Sequence, residues 1–181
     1  MSDKIEIQST RLLIREIESL DAQTILDYRS DTVANKYQGW IPEKIEEVDD
    51  FIENKIAKDF NQIGTWFQLA IIVKMSNELI GDIGLHFLEN EMVEIGCTID
   101  KTHQRKGYAT ESLRLTINFL FTQSNKQKIK ASVDPRNSAS IAMIEELGFK
   151  KEAHYKKSFL LRGEWVDDVI YGLTRKPQVP I

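Results

Sequence analysis

The stretch "HQRKGYATES", His103 to Ser112, is where the chain changes period. Before it, "MVEIGCTI" is rich in apolar and β-branched residues and reads as a strand. After it, Ala109, Leu113, Ile117, Leu120 and Phe121 recur at helical spacing and mark one buried face. Gly107 therefore stands at a helix N-terminus, with Gln104, Arg105 and Lys106 ahead of it and Tyr108, Ala109 and Thr110 behind. Such a terminus presents unpaired backbone N–H groups and a partial positive charge. Small residues at positions 107 and 109 let a phosphate approach that backbone. Thr110 adds a hydroxyl, and residues 104–106 add side-chain donors and charge. The loop suits a diphosphate. Taken alone, the same six residues also fit an ordinary loop before a helix.

Outward from the loop, the pattern extends in both directions. "RLLIREI" (Arg11–Ile17) alternates like a half-buried strand, and "SLDAQTILDY" reads as a helix capped by Ser19. Pro42 opens a second helix whose apolar face runs through Ile45, Val48, Phe51, Ile52, Ile56 and Phe60. "TWFQLAIIVK", "LIGDIGLHFL" and "MVEIGCTI" form a strand meander, turning at Ser76–Leu79 and Glu89–Glu91. Downstream, "QKIKASVD" is a short strand. Asn137 caps "SASIAMIEEL", and Gly148 stops it. "AHYKKSFLL" and "WVDDVIYGL" make a hairpin turning at Arg162-Gly163. No repeat or linker interrupts this order, so a single α+β or mixed α/β domain over residues 1–175 with a tail at 176–181 is expected.

Composition narrows the classes. At 41% hydrophobic and 29% charged the chain is neither disordered nor low in complexity. No apolar run is long enough to span a membrane, and "MSDKIEIQST" lacks a signal pattern. The single cysteine, Cys97, excludes an internal disulfide and a cysteine-based metal cluster. These features read as a cytoplasmic protein with no membrane partner. The net charge of −4 disfavours nucleic acid as a partner. Residues 101–136 nevertheless carry eight Lys/Arg against two Asp/Glu, so that third is +6 and the remainder −10. That basic third is either a solvated face or the seat of an anionic ligand. The three histidines show no metal-ligand spacing, and no metal is expected.

Two segments together resemble a known family. "VEIGCTIDKTHQRKGYATESLRLTINFLF" followed by "KASVDPRNSASIAMIEELGFKKEA" resembles the GNAT N-acetyltransferase superfamily. Gln104, Gly107 and Ala109 match its Q/R-x-x-G-x-G/A signature; Asn137, Ser140, Leu147, Gly148 and Phe149 match its second motif. "STRLLIRE" and "WVDDVIYGL" are similar to the branch of ribosomal-protein N-terminal acetyltransferases and their small-substrate relatives. The resemblance implies the GNAT acyl-CoA N-acyltransferase fold, a mixed and mostly antiparallel sheet flanked by helices, and acetyl-CoA as donor. It implies the pyrophosphate on Gln104, Arg105, Lys106, Gly107, Tyr108 and Ala109 with Thr110 beside them. The pantetheine arm would then lie along Cys97, Thr98 and Ile99, and Asn137 would bind the CoA arm. Lys106 and Arg136 are further phosphate contacts on this reading. It also implies a monomer or a homodimer.

The family's thiolate-protonating tyrosine is absent: Ile144 takes its position. Acetyl transfer needs a neutral amine, hence a base for an ammonium that titrates near 8 to 10. Glu94, on the strand leading to the loop, is the first candidate, with Glu91, Asp167, Asp168 and His86 as alternatives. Ser140 is the candidate donor to the leaving thiolate, or else only a first-turn helix residue; Tyr155 and Tyr171 are outside choices. An acidic stretch, residues 15–60 with twelve acids against six bases, favours a cationic acceptor such as a peptide α-amine, polyamine or aminoglycoside. Direct attack in a ternary complex is implied, the alternative being a non-catalytic acyl-CoA-binding or sensing domain.

Overall fold

Residues 4–176 are described in the computed structural model. Strands β1 (Glu6–Gln8) and β2 (Leu12–Glu16) lead into α1 (Ala22–Arg29) and α2 (Ile45–Asp50). Then come β3 (Trp66–Val73), β4 (Glu78–Phe87), β5 (Met92–Ile99), α3 (Tyr108–Thr122), β6 (Lys128–Val133), α4 (Ser138–Glu146), β7 (Lys150–Leu161) and β8 (Glu164–Thr174). The eight strands form one sheet in the order β1-β2-β3-β4-β5-β6-β8-β7. Only β5 and β6 run parallel. The sheet is thus mixed and mostly antiparallel, as expected. Of the expected tail, only Lys176 lies within the described residues.

Helices cover both faces, which is why β3 and β4 are buried almost end to end. On one face Leu113, Ile117 and Leu120 of α3 and Ile144 of α4 pack on Ile83, Leu85, Phe87 and Ile129. On the other, Ala22, Ile25, Tyr28, Val48 and Ile52 form a second, smaller core. Leu120 is fully buried, so truncation to Ala removes about 2–5 kcal/mol. Gly81 sits where β4 crosses β5 most tightly: a Cβ there would lie 2.2 Å from the Thr98 carbonyl oxygen. Among the described residues no helix is long and apolar enough to cross a membrane.

Three local expectations shift, and one short strand is new. Glu18, not Ser19, precedes the first helical turn: its side chain and that of Asp21 cap each other's backbone, and Ser19 falls inside a 3₁₀ turn. The second helix stops early. A π turn over Phe51–Lys55 ends with Ile56 extended, and Phe60 packs instead against Phe67, Phe87 and Phe119 in the larger core. The hairpin turn falls at residues 74–77, before the expected Ser76–Leu79. β1 carries no alternation long enough to stand out, yet Ile7 pairs with Ile14.

Candidate active site

The site starts with a failure of strand pairing. β5 and β6 pair only over Met92–Glu94 and Lys128–Lys130. Beyond that, β5 continues on β4 through Ile99, and β6 continues on β8 through Val133. The strands splay, and the edge of β5 facing β6 has no strand partner from Ile95 to Ile99. Three cavities open along the split, of about 330, 110 and 430 Å³. Gln38 and Cys97 line all three, so they form one path through the sheet.

The 330 Å³ cavity lies against the loop before α3. Thr98, Ile99, Gln104, Arg105, Gly107, Tyr108, Ala109, Thr110 and Asn137 line it, so the structure brings these residues together. Gly107 caps α3 with φ +79°, a left-handed conformation that most side chains resist. The first amide of the helix with a backbone partner is Glu111 N–H, onto the Gly107 carbonyl at 3.0 Å. The amides of Tyr108, Ala109 and Thr110 therefore form its open end. Gln104 commits its Nε2 to the Ile99 carbonyl at 2.9 Å, tying the loop to the splayed strand. Lys106 is exposed and does not line the cavity. Its carbonyl accepts from Arg11 Nη1 at 3.2 Å, while Arg11 also pairs with Glu111 and lies over the Tyr108 ring. This brace comes from a residue about a hundred positions away, which no local motif reveals.

Ser140 and Asn137 stand at the 110 Å³ neck, with Ile144 beside them. Asn137 Oδ1 accepts from the Ser140 N–H at 3.2 Å, the expected cap. Arg136 is turned away from this groove. Its guanidinium is tied to Asp134 at 2.7 Å and to Glu164 at 3.5 Å.

The 430 Å³ cavity lies on the α1 and α2 side. Glu94 lines it with Asp82, Asp134, Asp167 and Asp168, against one Arg, Arg29. Its aromatic walls are Tyr37, Trp40, Phe51, Trp66 and Phe159. Burial pushes the Glu94 carboxyl above its ordinary value; His86, with Nδ1 4.0 Å away, opposes the shift, and the Asp168 charge adds to it. His86 is held by stacking on Trp66, centroids 4.8 Å apart. Asp168 accepts from Ser132 Oγ at 2.6 Å. Asp167 is held below the usual carboxylate range by the Lys157 N–H and by His154. Glu91 sits in the β4–β5 turn and Tyr171 bonds Glu145, both outside this cavity.

At the cavity floor, Asp82 accepts from Tyr28 (2.5 Å), Gln68 (2.5 Å) and two nitrogens of Arg29 (2.6 and 3.0 Å). All four side chains are buried. Burial opposes the Arg29 charge, but Asp82 outweighs it and holds the guanidinium above its ordinary range. Such a pair is costly to break, because the survivor keeps an uncompensated buried charge. None of these residues stood out in the sequence: a lone Asp in a strand and a lone Arg in a helix carry no spacing signal. Cys97 lines the path, but burial pushes its thiol up to about 12. That is too high for a thiolate nucleophile near neutrality.

The family model described as "Acetyltransferase (GNAT) domain" matches residues 11–150. The chain belongs to the GNAT acetyltransferase family. It is an acyltransferase of the N-acetyltransferase type, as the two motifs implied. The uncharacterised N-acetyltransferase p20 of Bacillus licheniformis is 30% identical over 173 residues, covering 94% of this chain and 96% of that one. The [ribosomal protein uS5]-alanine N-acetyltransferase of Escherichia coli strain K12 is 24% identical, covering 98% and 94%. A crystal structure of spermidine N-acetyltransferase from Vibrio cholerae in complex with CoA and spermine superposes with a TM-score of 0.79. Its identity is 22%, with 92% of this chain and 96% of that chain covered. These relatives carry the same fold and place the chain near the ribosomal-protein branch.

Proposed function

We propose that the protein transfers an acetyl group from acetyl-CoA to a cationic primary amine, by direct attack in a ternary complex. The observation that carries this reading is the single path through the β5–β6 split. It has open helix amides and small residues at one end and an acidic, aromatic-walled cavity holding Glu94 at the other. The diphosphate of CoA takes the amides of Gly107 to Thr110, with Arg105 supplying charge. The pantetheine arm uses the unpaired edge of β5 at Cys97, Thr98 and Ile99, and Asn137 lies at its flank. A splayed strand leaves backbone N–H and C=O groups free to pair with this arm, and a paired strand does not.

An ammonium group is attracted into the acidic cavity and lies against its aromatic walls. Glu94 takes the ammonium proton, directly or through water. The neutral amine then attacks the thioester carbonyl carbon. A backbone N–H of β5 near Gly96 or Cys97 receives the oxyanion. The C–S bond breaks while the Ser140 hydroxyl at the neck hydrogen-bonds the departing thiolate in place of the absent tyrosine, and the second proton lost by the amine nitrogen passes through water to that thiolate, giving free CoA thiol and the amide. Residues 1–175 act as one domain in this reading, 176–181 as a tail, and the protein works in the cytoplasm without metal or nucleic acid.

The test is free-thiol release from acetyl-CoA against short peptides with Ser, Ala or Met N-termini, polyamines, aminoglycosides and free amino acids. Release with a cationic amine class, lost in Glu94→Gln, is expected. Tight acetyl-CoA binding with no release on any amine would overturn the acceptor assignment.

A further inference from the structure

We propose that the Gln38 carboxamide is a hydrogen-bond donor to the acetyl carbonyl oxygen, acting together with a backbone N–H of β5 as that oxygen becomes the oxyanion. This rests on the acetyl-transfer reading above, in which no side chain takes that role. The first observation is position. Among the described residues, only Gln38 and Cys97 line all three cavities, so they mark the point where the cofactor end of the path meets the acceptor end. Cys97 belongs to β5, whereas Gln38 reaches the path from the loop between α1 and α2. There is room for a small group at this point. Gly96 is exposed and lines the 430 and 110 Å³ cavities, and a Cβ added to it would meet no atom within 4 Å. The acetyl group fits beside that glycine.

The second observation is that the loop is fixed while its carboxamide is free. Asp31 pairs with Lys101 ahead of α3, the Tyr37 hydroxyl donates to the Arg136 carbonyl at 3.1 Å, and Arg162 donates to the Lys36 carbonyl. The Gln38 N–H donates to the Asn35 carbonyl at 2.8 Å, and buried Asn35 donates in turn to the Tyr28 carbonyl at 2.7 Å. Among the described residues the Gln38 side chain has no hydrogen-bond partner, so that backbone bond is what holds it. Its polar neighbours along both the neck and the 430 Å³ cavity are committed. Tyr37 is bound to Arg136, Ser132 Oγ donates to Asp168 at 2.6 Å, and Asp134 accepts from Arg136. The Cys97 thiol is only a weak donor. The carboxamide of Gln38 brings two N–H donors to the junction. Water pairs such a group on an open surface. Here the occupant of the path replaces that water, and an oxygen gaining negative charge is the partner that two such donors match best.

The carboxamide gives up no proton in this role. The amine lone pair forms the C–N bond as the carbonyl π pair moves onto oxygen. Gln38 Nε2 and the β5 N–H hold that oxygen while it is charged. The C=O bond then re-forms, and the C–S pair leaves with sulfur. The hydrogen bond is present at the bound thioester and strengthens as charge develops, so it lowers the barrier more than it tightens binding. An amine-recognition role predicts something different. The oxyanion forms whichever nucleophile attacks, so a donor to it acts equally on all of them, whereas a contact to the amine acts on that amine alone.

Two variants of the full chain test this. Gln38→Met keeps the length of the side chain and loses the donors; Gln38→Glu puts a charged acceptor in their place. Thiol release from acetyl-CoA is followed with an Ala-initiated tripeptide, with spermidine and with water alone, and acetyl-CoA affinity is read by calorimetry. Gln38→Met is expected to lower kcat about 10²- to 10³-fold, by the same factor for every nucleophile that reacts, with acetyl-CoA affinity and melting temperature unchanged. Gln38→Glu should lose more. Infrared spectra of bound acetyl-CoA, labelled with carbon-13 at the carbonyl, read the contact directly and need no acceptor. The thioester carbonyl band should lie at higher wavenumber in Gln38→Met than in the parent. An unchanged band, a loss confined to one nucleophile, or parental kcat in Gln38→Glu would each overturn the proposal and leave the acetyl-transfer reading standing. Failure of the parent to bind acetyl-CoA would sink that reading, and the role of Gln38 with it.

Discussion

The two ends of the path through the sheet are made differently. The loop end is built mostly from neighbours in sequence: Gln104, Arg105 and Gly107 to Thr110 in one turn and Asn137 and Ser140 in another, with Ala34, Asn35 and Gln38 reaching it from the other side of the sheet. The Glu94 end gathers residues from α1, the loop after it, β3, β4, β5 and β8. The loop end works through backbone, since a diphosphate needs amides and room. The Glu94 end works through side chains, since an amine must be recognised, stripped of a proton and held. Shared chemistry thus sits in a local motif, and specificity sits in long-range packing.

Four substitutions sharpen that contrast. Glu94→Gln should lower kcat by about 10²- to 10⁴-fold, leaving acetyl-CoA affinity unchanged, as steady-state kinetics and calorimetry will read. The pH dependence has a definite sign. Because burial raises the Glu94 pKa above its ordinary value, the acid limb of kcat/KM should be displaced upward from that of an exposed glutamate. The folded state then holds the proton more tightly than the unfolded state, so Glu94 lowers stability as pH rises from its unfolded to its folded pKa. Glu94→Gln should therefore be as stable as the parent at low pH and at least as stable near neutrality, measured by thermal melts across pH.

Asp82→Ala should cost about 3–5 kcal/mol by stranding the Arg29 charge among buried groups, and urea unfolding will report it. Its surviving activity should show a raised KM for the amine more than for acetyl-CoA, because the cluster floors only the Glu94 end. If both KM values rise equally, the two ends are not separable. Gly107→Val should weaken acetyl-CoA at least about tenfold, since it fills the approach and forces a β-branched residue to positive φ at roughly 1–2 kcal/mol. Binding calorimetry tests this, and unchanged affinity would refute the assignment of the loop. Asn137→Ala should cost least, about 1 kcal/mol in melting, from loss of the cap on α4.

Much of this was legible beforehand. The meander, α3, α4 and the C-terminal hairpin follow from period and punctuation, and the family signature lies where those elements meet. What was missed has a common cause. The second helix was carried through Phe60 by spacing alone, but a π turn rotates the face and Phe60 finds better partners in Phe67, Phe87 and Phe119. Arg11, Asp82 and Arg29 act mainly through partners 53 to 100 residues away. Arg136 is expected from its place beside a motif residue to face the CoA groove, and in the structure it pairs with Asp134.

The sequence by itself determined most of the order of elements, the glycine at the start of α3, the capped start of α4 and the membership of the family. These depend on residues within a few positions of one another, where backbone preference and hydrogen bonding act locally. Only the tertiary structure decided that β5 and β6 part after Glu94, that Glu94 is desolvated beside His86 and Asp168, and that an acidic, aromatic-walled cavity forms against the C-terminal hairpin. Those outcomes depend on which distant side chains share a low-dielectric space, and burial and charge coupling exist only once the chain has folded.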